Sequence, residues 1–403
     1  MSMALEGIRV IDLTLWHQGA MAATILGDLG AEVIKIEDRV KGDPARGFMR
    51  IIGASTGVMG RNAYFEHCNR NKKSITLDLT KQKGRQIAYQ LVEKSDVFLH
   101  NMRKGVPERL GMDYKTLSRY NPRLIYASAS GWGPKGPAAG KPSFDMTGIA
   151  RSGMMTVAGE PGTPPVHIQG MGDQIGAIMT AFSVVTAIAA RERLGVGQEV
   201  EVSLLGSLVY LLGMYVDVEL LVGHELPRFV RAKAGNPLWN YYRCKDDKWI
   251  VLAHIQSDRY WPTLCRAVGI EHLEKDPRFE NMDVRGRNAA ELISIMDEAF
   301  ATKTRAEWLD IFEKSGDLIF EAVNTISDMV KDPQVRDNDY IVGFQHPAWG
   351  KIDVVGIPMH FSRTPPSVRL PGPEFGEHTE EVLQSVLGYS WDDIAKQKAE
   401  EVI

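Results

Sequence analysis

The first 130 residues alternate between short apolar runs and segments with helical spacing. The apolar runs predict buried strands, and they cover residues 8–13, 32–37, 74–79, 96–101 and 123–130. Between them, apolar positions recur at helical spacing, for example across residues 84–94. Strands alternating with helices are typical of β-α units around a mainly parallel sheet. The pattern therefore predicts an α/β fold with a Rossmann-like large domain.

The middle of the chain contains its most apolar stretches. Residues 174–193 are apolar on nearly all sides, which predicts a buried helix rather than an amphipathic surface helix. Residues 198–203 alternate as a strand, and residues 204–220 predict a second apolar helix. A hairpin is predicted at 241–254, turning at Asp246-Asp247.

These elements predict a division into a large domain, a smaller domain and a returning segment. The large domain covers 1–222, a smaller α+β domain covers 223–328, and residues 329–403 return to the large domain with a last helix around 377–387. A chain of 403 residues with 44% hydrophobic and 24% charged residues has ordinary globular composition and room for two or three structural units.

Charge and cysteine usage exclude several classes of function. The net charge of −4, from 47 basic and 51 acidic residues, is too small and mixed for a nucleic-acid or membrane-surface partner. The three cysteines, Cys68, Cys244 and Cys265, are isolated, so neither a disulfide framework nor a metal site is predicted.

Residues 1–7 lack the features of a signal peptide. Polar residues and glycines interrupt 204–221 short of a membrane span. We expect a soluble cytoplasmic protein.

The loops lack the common phosphate-binding motifs. The turn after the first strand has the sequence Leu-Trp-His-Gln-Gly at 15–19 instead of the G-x-G-x-x-G that a dinucleotide requires. No Walker motif G-x-x-x-x-G-K-[ST] occurs. Nicotinamide chemistry and ATP-driven ligation are therefore both disfavoured.

The segment 170–176, Gly-Met-Gly-Asp-Gln-Ile-Gly, is the most suggestive chemical feature. Asp173 lies among glycines at the start of the predicted buried helix. It could be an N-cap that accepts backbone N–H bonds. It could instead be a nucleophile at the floor of a cleft, because a carboxylate is ionised at neutral pH and needs no general base. The residues alone leave both interpretations open.

Seven segments together make the chain resemble the class III CoA-transferases, which include formyl-CoA:oxalate and crotonobetaine:carnitine CoA-transferases, along essentially its whole length. The segments are 7–13, 29–37, 69–79, 121–125, 172–173, 195–198 and 376–382. The resemblance implies that Asp173 attacks an acyl-CoA donor and forms first an anhydride and then an aspartyl-CoA thioester. It implies no permanently bound cofactor, with the coenzyme A thioester as substrate.

Two sets of binding residues are expected, and the resemblance implies the first of them. Those matching the CoA contacts are His17, Gln18, Arg39, Lys73, Asn101, Met102, Arg109 and Lys141. Those that could border the acyl group are Trp16, Phe144, His167, Gln169, Met171 and Trp239. The mixed apolar and polar lining favours succinyl-CoA as donor and an aryl- or alkyl-substituted dicarboxylate as acceptor.

Two departures from the family bear on activity. The glycine-rich loop of the oxalate enzymes has no equal here, because residues 235–240 contain one glycine. Phe144 stands where the related α-methylacyl-CoA racemases need a proton-carrying His, which disfavours racemisation. A racemase and a non-catalytic subunit of a hetero-oligomer remain the alternatives. The resemblance further implies an interlocked dimer, either a homodimer or a heterodimer with a paralogue.

Overall fold

The computed structural model describes residues 2–403, which form two compact units. The first unit comprises residues 2–155, 166–226 and 334–403, and the second comprises 156–165 and 227–333. The sequence assigned residues 156–165 to the large domain, but they group with the second unit. The reason is Arg228, whose guanidinium donates to the backbone oxygens of Thr156 at 2.5 Å and Glu160 at 3.3 Å.

The first unit is built on a six-stranded parallel sheet. Its strands are β1 (Arg9–Leu13), β2 (Glu32–Asp38), β3 (Lys72–Leu77), β4 (Val97–His100), β5 (Ile125–Ser130) and β6 (Gln198–Ser203). Their spatial order is β6-β5-β4-β1-β2-β3. The order reverses between β1 and β4, and ligands bind outside the carboxyl ends of the strands at such a switch point.

The central strands are buried on both faces, which explains their continuous apolar runs. Neighbouring positions point to opposite faces, so Val10 joins one core and Ile11 the other. Val97 and Phe98 on β4 divide in the same way. Val10 pairs with Val33 on one side and Val97 on the other. The two cores hold the sheet between layers of helices.

Helices and short hairpins complete the first unit. The helices are Gln18–Asp28, Ala63–Asn69, Gln82–Glu93, Val106–Leu110, Tyr114–Leu117, Asp145–Arg151, Met171–Leu194, Leu204–Leu211, Gly213–Val222, Thr379–Ser385 and Trp391–Ala399, with a 3₁₀ turn at Pro44–Gly47. Two further short helices, Met154–Val157 and Pro333–Asp337, each have residues in both units. The hairpins pair Arg50–Ile51 with Ala54–Ser55, Gly57–Val58 with Arg61–Asn62, and β10 (Ile341–His346) with β11 (Gly350–Val355).

The apolar stretch at 204–220 is two helices rather than the single predicted one. Leu204–Leu211 and Gly213–Val222 meet at 71°, with the break beside Gly213, a residue type that weakens a helix. By length and composition, Met171–Leu194 could cross a membrane, as could the bent pair taken together. Ala177, Ala181 and Val184 of the long helix are buried in the core on one face of the sheet.

The second unit contains a three-stranded antiparallel sheet and a helical core. Its strands are β7 (Trp239–Arg243), β8 (Trp249–Ala253) and β9 (Phe320–Ala322), and β8 is central. The helices are Ser257–Val268, Met282–Arg287, Ala289–Phe300, Arg305–Lys314 and Ile326–Met329, with 3₁₀ turns at Arg231–Lys233 and Glu271–Leu273. The core combines aliphatic side chains with large buried aromatic ones, among them Trp261, Trp308 and Phe300.

The C-terminal segment runs along the β3 edge of the first unit. The backbone N–H of Asp78 donates to Val402 O at 2.8 Å, and the N–H of His378 donates to Ser74 O at 2.8 Å. The helix predicted at 377–387 is observed at Thr379–Ser385. The final helix, Trp391–Ala399, was not predicted, although Ser390 caps its first turn.

Candidate active site

The turn after β1 lies at the switch point and is tied to the loop after β4. The Asn101 side chain accepts the Leu15 N–H at 2.9 Å and donates to Leu15 O at 2.7 Å. Trp16 follows with φ of +65°, a left-handed conformation that non-glycine residues rarely adopt. His17 and Gln18 then begin the helix Gln18–Asp28. The turn thus holds three of the predicted binding side chains at the carboxyl edge of the sheet.

A buried ion pair supports this turn from below. Lys35 Nζ lies 2.9 Å from Asp43 Oδ2 and donates to Thr14 O at 2.7 Å, and both charged side chains are fully buried. The other oxygen of Asp43 accepts the Trp16 N–H at 3.3 Å. Burial alone would lower the pKa of Lys35, but the surrounding carboxylates outweigh it and raise that pKa above its usual value. The network therefore holds the strained Trp16 backbone in place.

Asp173 occupies the first turn of the helix Met171–Leu194, but another residue caps that helix. Asp145 Oδ1 accepts the Asp173 N–H at 3.0 Å, and Asp145 Oδ2 accepts the Gly170 N–H at 2.8 Å. A Cβ on Gly172 would lie 3.0 Å from Asp145 Oδ1, so glycine permits this close approach. The N-cap interpretation of the Asp173 side chain is wrong.

The Asp173 side chain is partly buried, and its carboxylate accepts no hydrogen bond from residues 2–403. Burial raises the pKa of Asp173 to about 7, and the charge of Asp145 adds to this effect. A carboxylate without hydrogen bonds in a poorly solvated site is more basic and more nucleophilic than one in water. A strongly shifted pKa in a partly buried site is typical of a functional group.

His17 and Gln18 lie against the same helix. His17 Nε2 is 3.1 Å from Gln174 Oε1, and burial lowers the pKa of His17 although this hydrogen bond opposes the change. Gln18 is buried, and its Nε2 has no hydrogen-bond partner within residues 2–403. A Cβ on Gly176 would lie 2.8 Å from that atom, so this glycine admits the Gln18 side chain. The β1 turn and the Asp173 helix thus form one site.

Aromatic side chains form a wall beside this site. Trp16 makes edge contacts with Phe48 and Phe144, with ring centroids 5.7 and 6.2 Å apart. Tyr64 contacts Phe48 at 5.3 Å and His17 at 5.7 Å. Phe48 and Tyr64 were missed, because an isolated aromatic residue in sequence is equally compatible with a core position.

The other predicted acyl-group residues take different positions. His167 Nε2 lies 3.2 Å from Asp145 Oδ2, next to the capped helix. Met171 packs beside the small core of Ile149, Leu204 and Leu208, and Gln169 is exposed. Trp239 belongs to the second unit, where it begins β7 and is 47% exposed.

Most predicted CoA contacts lie at the carboxyl edge of the sheet. Arg39 directly follows β2 and lies 3.3 Å from Glu401. Asn101 and Met102 directly follow β4. Arg109 is exposed on the helix Val106–Leu110, and Lys141 is exposed in the loop before the helix Asp145–Arg151.

Lys73 does not lie with this group. It is the second residue of β3, beside Ile34 in the β2–β3 pairing, which places it near the amino edge of the sheet. Its ammonium group lies 3.1 Å from Glu32 and 2.9 Å from Glu381. Both carboxylates raise the pKa of Lys73, although burial opposes them. The geometry does not support the predicted contact with CoA phosphates, because Lys73 already has two anionic partners.

Comparisons with known proteins agree with this architecture. The family model described as CoA-transferase family III matches residues 5–379. The (R)-2-hydroxy-4-methylpentanoate CoA-transferase of Clostridioides difficile is 32% identical over 100% of both chains. The succinyl-CoA–D-citramalate CoA-transferase of Chloroflexus aurantiacus is 32% identical over 99% of this chain and 98% of its own.

A solved structure shows the same fold. The CAIB/BAIF family protein from Brucella suis superimposes with a TM-score of 0.83 at 27% identity, covering 96% of this chain and 100% of that one. With a family match over nearly the whole chain and full-length enzyme relatives, the chain belongs to CoA-transferase family III, the class III CoA-transferases.

Proposed function

We propose that this enzyme transfers CoA from an acyl-CoA donor to a carboxylic acid, with Asp173 as the covalent nucleophile. One observation carries the proposal: a carboxylate with a pKa raised to about 7 and no hydrogen bond within the described residues, on the helix that His17 of the switch-point turn contacts. Such a group is partly ionised at neutral pH and can attack a thioester without a separate base.

The proposed reaction proceeds through two anhydrides and one thioester. An Asp173 oxygen attacks the donor carbonyl carbon, the C–S bond breaks, and CoA leaves as its thiolate. The thiolate attacks the Asp173 carbonyl carbon, releases the donor carboxylate and forms an aspartyl-CoA thioester. The acceptor carboxylate displaces the thiolate from this thioester and forms a second anhydride. The thiolate then attacks the acceptor acyl carbon and releases Asp173 as a carboxylate, with no net proton or electron transfer.

The groups around Asp173 suit this sequence. Each tetrahedral intermediate carries an oxyanion, and N–H groups that point at this oxygen stabilise it. The Gln18 amide nitrogen, which has no hydrogen-bond partner among the described residues, offers such a donor. Burial lowers the pKa of His17, so its ring is neutral at pH 7 and places no cation against the nucleophile. A dry site also protects the anhydrides from water.

The aromatic wall supports an apolar portion on the acyl group. Trp16, Phe48 and Phe144 present ring faces and edges that an aryl or branched alkyl chain would contact. One relative is named for a branched hydroxy acid, and the other is named for a substituted dicarboxylate with succinyl-CoA. We propose succinyl-CoA as donor and an aryl- or alkyl-substituted dicarboxylate as acceptor.

The carboxyl edge would hold the CoA moiety. In this proposal the contacting residues are His17, Gln18, Arg39, Asn101, Met102, Arg109 and Lys141. Basic side chains suit the phosphates, Arg as a bidentate donor and Lys as a point charge. Lys73 is left out because of its two carboxylate partners.

We also propose that the enzyme acts in the cytoplasm as an interlocked dimer of two copies or of this chain and a paralogue. Exposed apolar side chains on the helices Leu204–Leu211 and Gly213–Val222 support a protein partner; they are Val209, Tyr210, Leu211, Met214, Leu220, Leu221 and Val222. Light and isotope-labelled copies mixed at low concentration should not exchange, as judged by native mass spectrometry. Ready exchange without unfolding would contradict interlocking.

The decisive experiment is intact-mass analysis after brief incubation with a panel of acyl-CoA thioesters. Hydroxylamine or borohydride treatment and peptide mapping around Asp173 then locate any adduct. We expect an adduct on the native enzyme and none on Asp173→Asn. No adduct with any thioester, together with α-proton exchange in deuterated solvent, would favour a racemase. CoA binding with neither reaction would favour a non-catalytic subunit.

A further inference from the structure

Asp145 makes three polar contacts around the start of the helix Met171–Leu194. Its Oδ1 accepts the Asp173 N–H at 3.0 Å, and its Oδ2 accepts the Gly170 N–H at 2.8 Å and lies 3.2 Å from His167 Nε2. We infer that Asp145 is a positioning residue for the nucleophile: it caps the helix in place of Asp173 and so leaves the Asp173 carboxylate without a hydrogen bond from residues 2–403. This inference rests on the proposed role of Asp173.

In this arrangement one aspartate caps the helix and another supplies the nucleophilic oxygen. A carboxylate in the first turn of a helix commonly accepts backbone N–H bonds and is stabilised by the helix dipole. Such stabilisation favours the ionised form and makes the oxygen less nucleophilic. Here Asp145, the first residue of the helix Asp145–Arg151, accepts these bonds from outside the long helix. Asp173 keeps a fixed backbone, and its side chain accepts no hydrogen bond from the part of the chain that the structure describes.

Asp145 is also the charged neighbour that acts on Asp173. After burial, its charge is the second cause of the raised pKa of Asp173. Two other titratable groups face Asp173 from the helix Ala63–Asn69, the Tyr64 phenol and the Cys68 thiol. Burial raises the pKa of Tyr64 far above neutral and that of Cys68 to about 12, so both are uncharged. The lowered pKa of His17 leaves that ring neutral as well.

The remaining histidines complete the surroundings. His67 contacts His17 with ring centroids 6.1 Å apart, and burial lowers the pKa of His67 to about 4. His167 contacts Asp145 rather than Asp173. Removing the Asp145 charge should therefore change the titration of Asp173 more than removing any other charge at the site.

The test follows the Asp173 carboxyl carbon directly by NMR in full-length protein labelled with [4-¹³C]aspartate. The signal that disappears in Asp173→Asn assigns the group. In Asp145→Asn and Asp145→Ser, the titration midpoint of Asp173 should move to lower pH by about one pH unit. Ser can still accept a backbone N–H without carrying charge, so it guards against misfolding of the Asn variant. Asp145→Glu, which keeps the charge, should retain most of the native midpoint.

The control is a capping aspartate elsewhere in the first unit. Asp113 Oδ1 accepts the Thr116 N–H at 3.0 Å, and Asp113→Asn should leave the Asp173 midpoint unchanged. An unchanged midpoint in both folded Asp145 variants would overturn the inference. Because the readout needs no substrate, it is separate from the proposed function, which fails only if the native enzyme forms no acyl or CoA adduct.

Discussion

The side chain of Asn101 and the backbone of Leu15 form a reciprocal pair of hydrogen bonds across the switch point of the sheet. Asn101 accepts the Leu15 N–H at 2.9 Å and donates to Leu15 O at 2.7 Å. The first residue follows β4 and the second follows β1, the two strands between which the order reverses. One amide thus fixes the spacing of the loops that would hold CoA.

Asn101→Asp should weaken CoA binding more than it destabilises the fold. The substitution keeps an acceptor for the Leu15 N–H but removes the donor to Leu15 O, so the turn carrying Trp16, His17 and Gln18 loses one constraint. We expect CoA affinity to fall about 10-fold because these groups are no longer pre-positioned. Stability should fall by about 1 kcal/mol for the lost hydrogen bond. Calorimetric titration and denaturant unfolding measure the two effects.

Asn121→Asp is the matched control for that substitution. Asn121 Nδ2 donates to Ser95 O at 2.6 Å, and its Oδ1 accepts the Arg123 N–H at 2.9 Å, in a loop after the helix Tyr114–Leu117. A similar loss of stability with native CoA affinity is expected. Equal loss of affinity in both variants would show that the effect at Asn101 is general destabilisation.

The rate of adduct formation should rise with pH through about 7. Only ionised Asp173 attacks a thioester, and burial raises the pKa of this residue to about 7. Below that pH the carboxyl group is protonated and inactive, so the acidic limb should have a slope of one. Rapid-quench mass analysis at low thioester concentration measures it. A profile that is flat from about pH 5.5 to 8 would contradict the perturbed nucleophile.

Neutralising the nucleophile should stabilise the protein at high pH. The raised folded-state pKa of about 7, against 3.8 for the unperturbed group, means that stability falls as pH rises between these values, because the folded state resists ionisation. Asp173→Asn is uncharged throughout. Its free energy of unfolding at pH 8 should exceed that of the native protein by about 1–3 kcal/mol, and this excess should vanish near pH 4.

Asp145→Asn should gain less stability at pH 8 than Asp173→Asn does. It removes the charge that opposes ionisation of Asp173, but it also replaces an ionic cap with a neutral group that has one oxygen for two backbone N–H donors. Denaturant unfolding at the two pH values therefore separates the two aspartates. If Asp173→Asn were less stable than the native protein at pH 8, the burial cost assigned to this carboxylate would be wrong.

The sequence was most informative for secondary-structure elements, which depend mainly on residues close to one another along the chain. Buried parallel strands have continuous apolar runs, so β1 and β2 were predicted to within one residue at each end. The strand predicted at 74–79 is observed at Lys72–Leu77, because Lys72 is buried and a buried lysine looks like a surface residue in sequence. Asp173 could be singled out from its glycine-flanked position.

Contacts between distant segments could not be predicted in the same way. Asp145 caps a helix that begins 26 residues later, at Met171, and no local pattern encodes that pairing. The aromatic contacts of Phe48 and Tyr64 likewise arise from folding of the segment between β2 and β3. Lys73 was assigned to the CoA site from motif position alone, and only the strand register reveals its edge of the sheet.

The adjacent lysines 72 and 73 provide the last prediction, because their environments are opposite. Lys72 Nζ is fully buried and lies 2.8 Å from Asp12 Oδ2, 2.7 Å from Ala20 O and 3.0 Å from Asn69 Oδ1. Lys72→Met leaves the Asp12 charge buried without its partner and should cost about 3–5 kcal/mol of stability. Adding Asp12→Asn to this variant should recover part of the loss, because the unpaired charge is then removed.

Lys73→Met should cost no more than about 1 kcal/mol, since the pairs with Glu32 and Glu381 are partly exposed. It should also leave CoA affinity unchanged, because Lys73 lies near the amino edge of β3 and the proposed CoA contacts lie at the carboxyl edge. Denaturant unfolding and calorimetric titration of both variants check these expectations. A loss of CoA affinity of 10-fold or more in folded Lys73→Met, which corresponds to about 1.4 kcal/mol of binding free energy, would show that Lys73 contacts CoA. CoA would then have to extend from the carboxyl edge of the sheet to its amino edge.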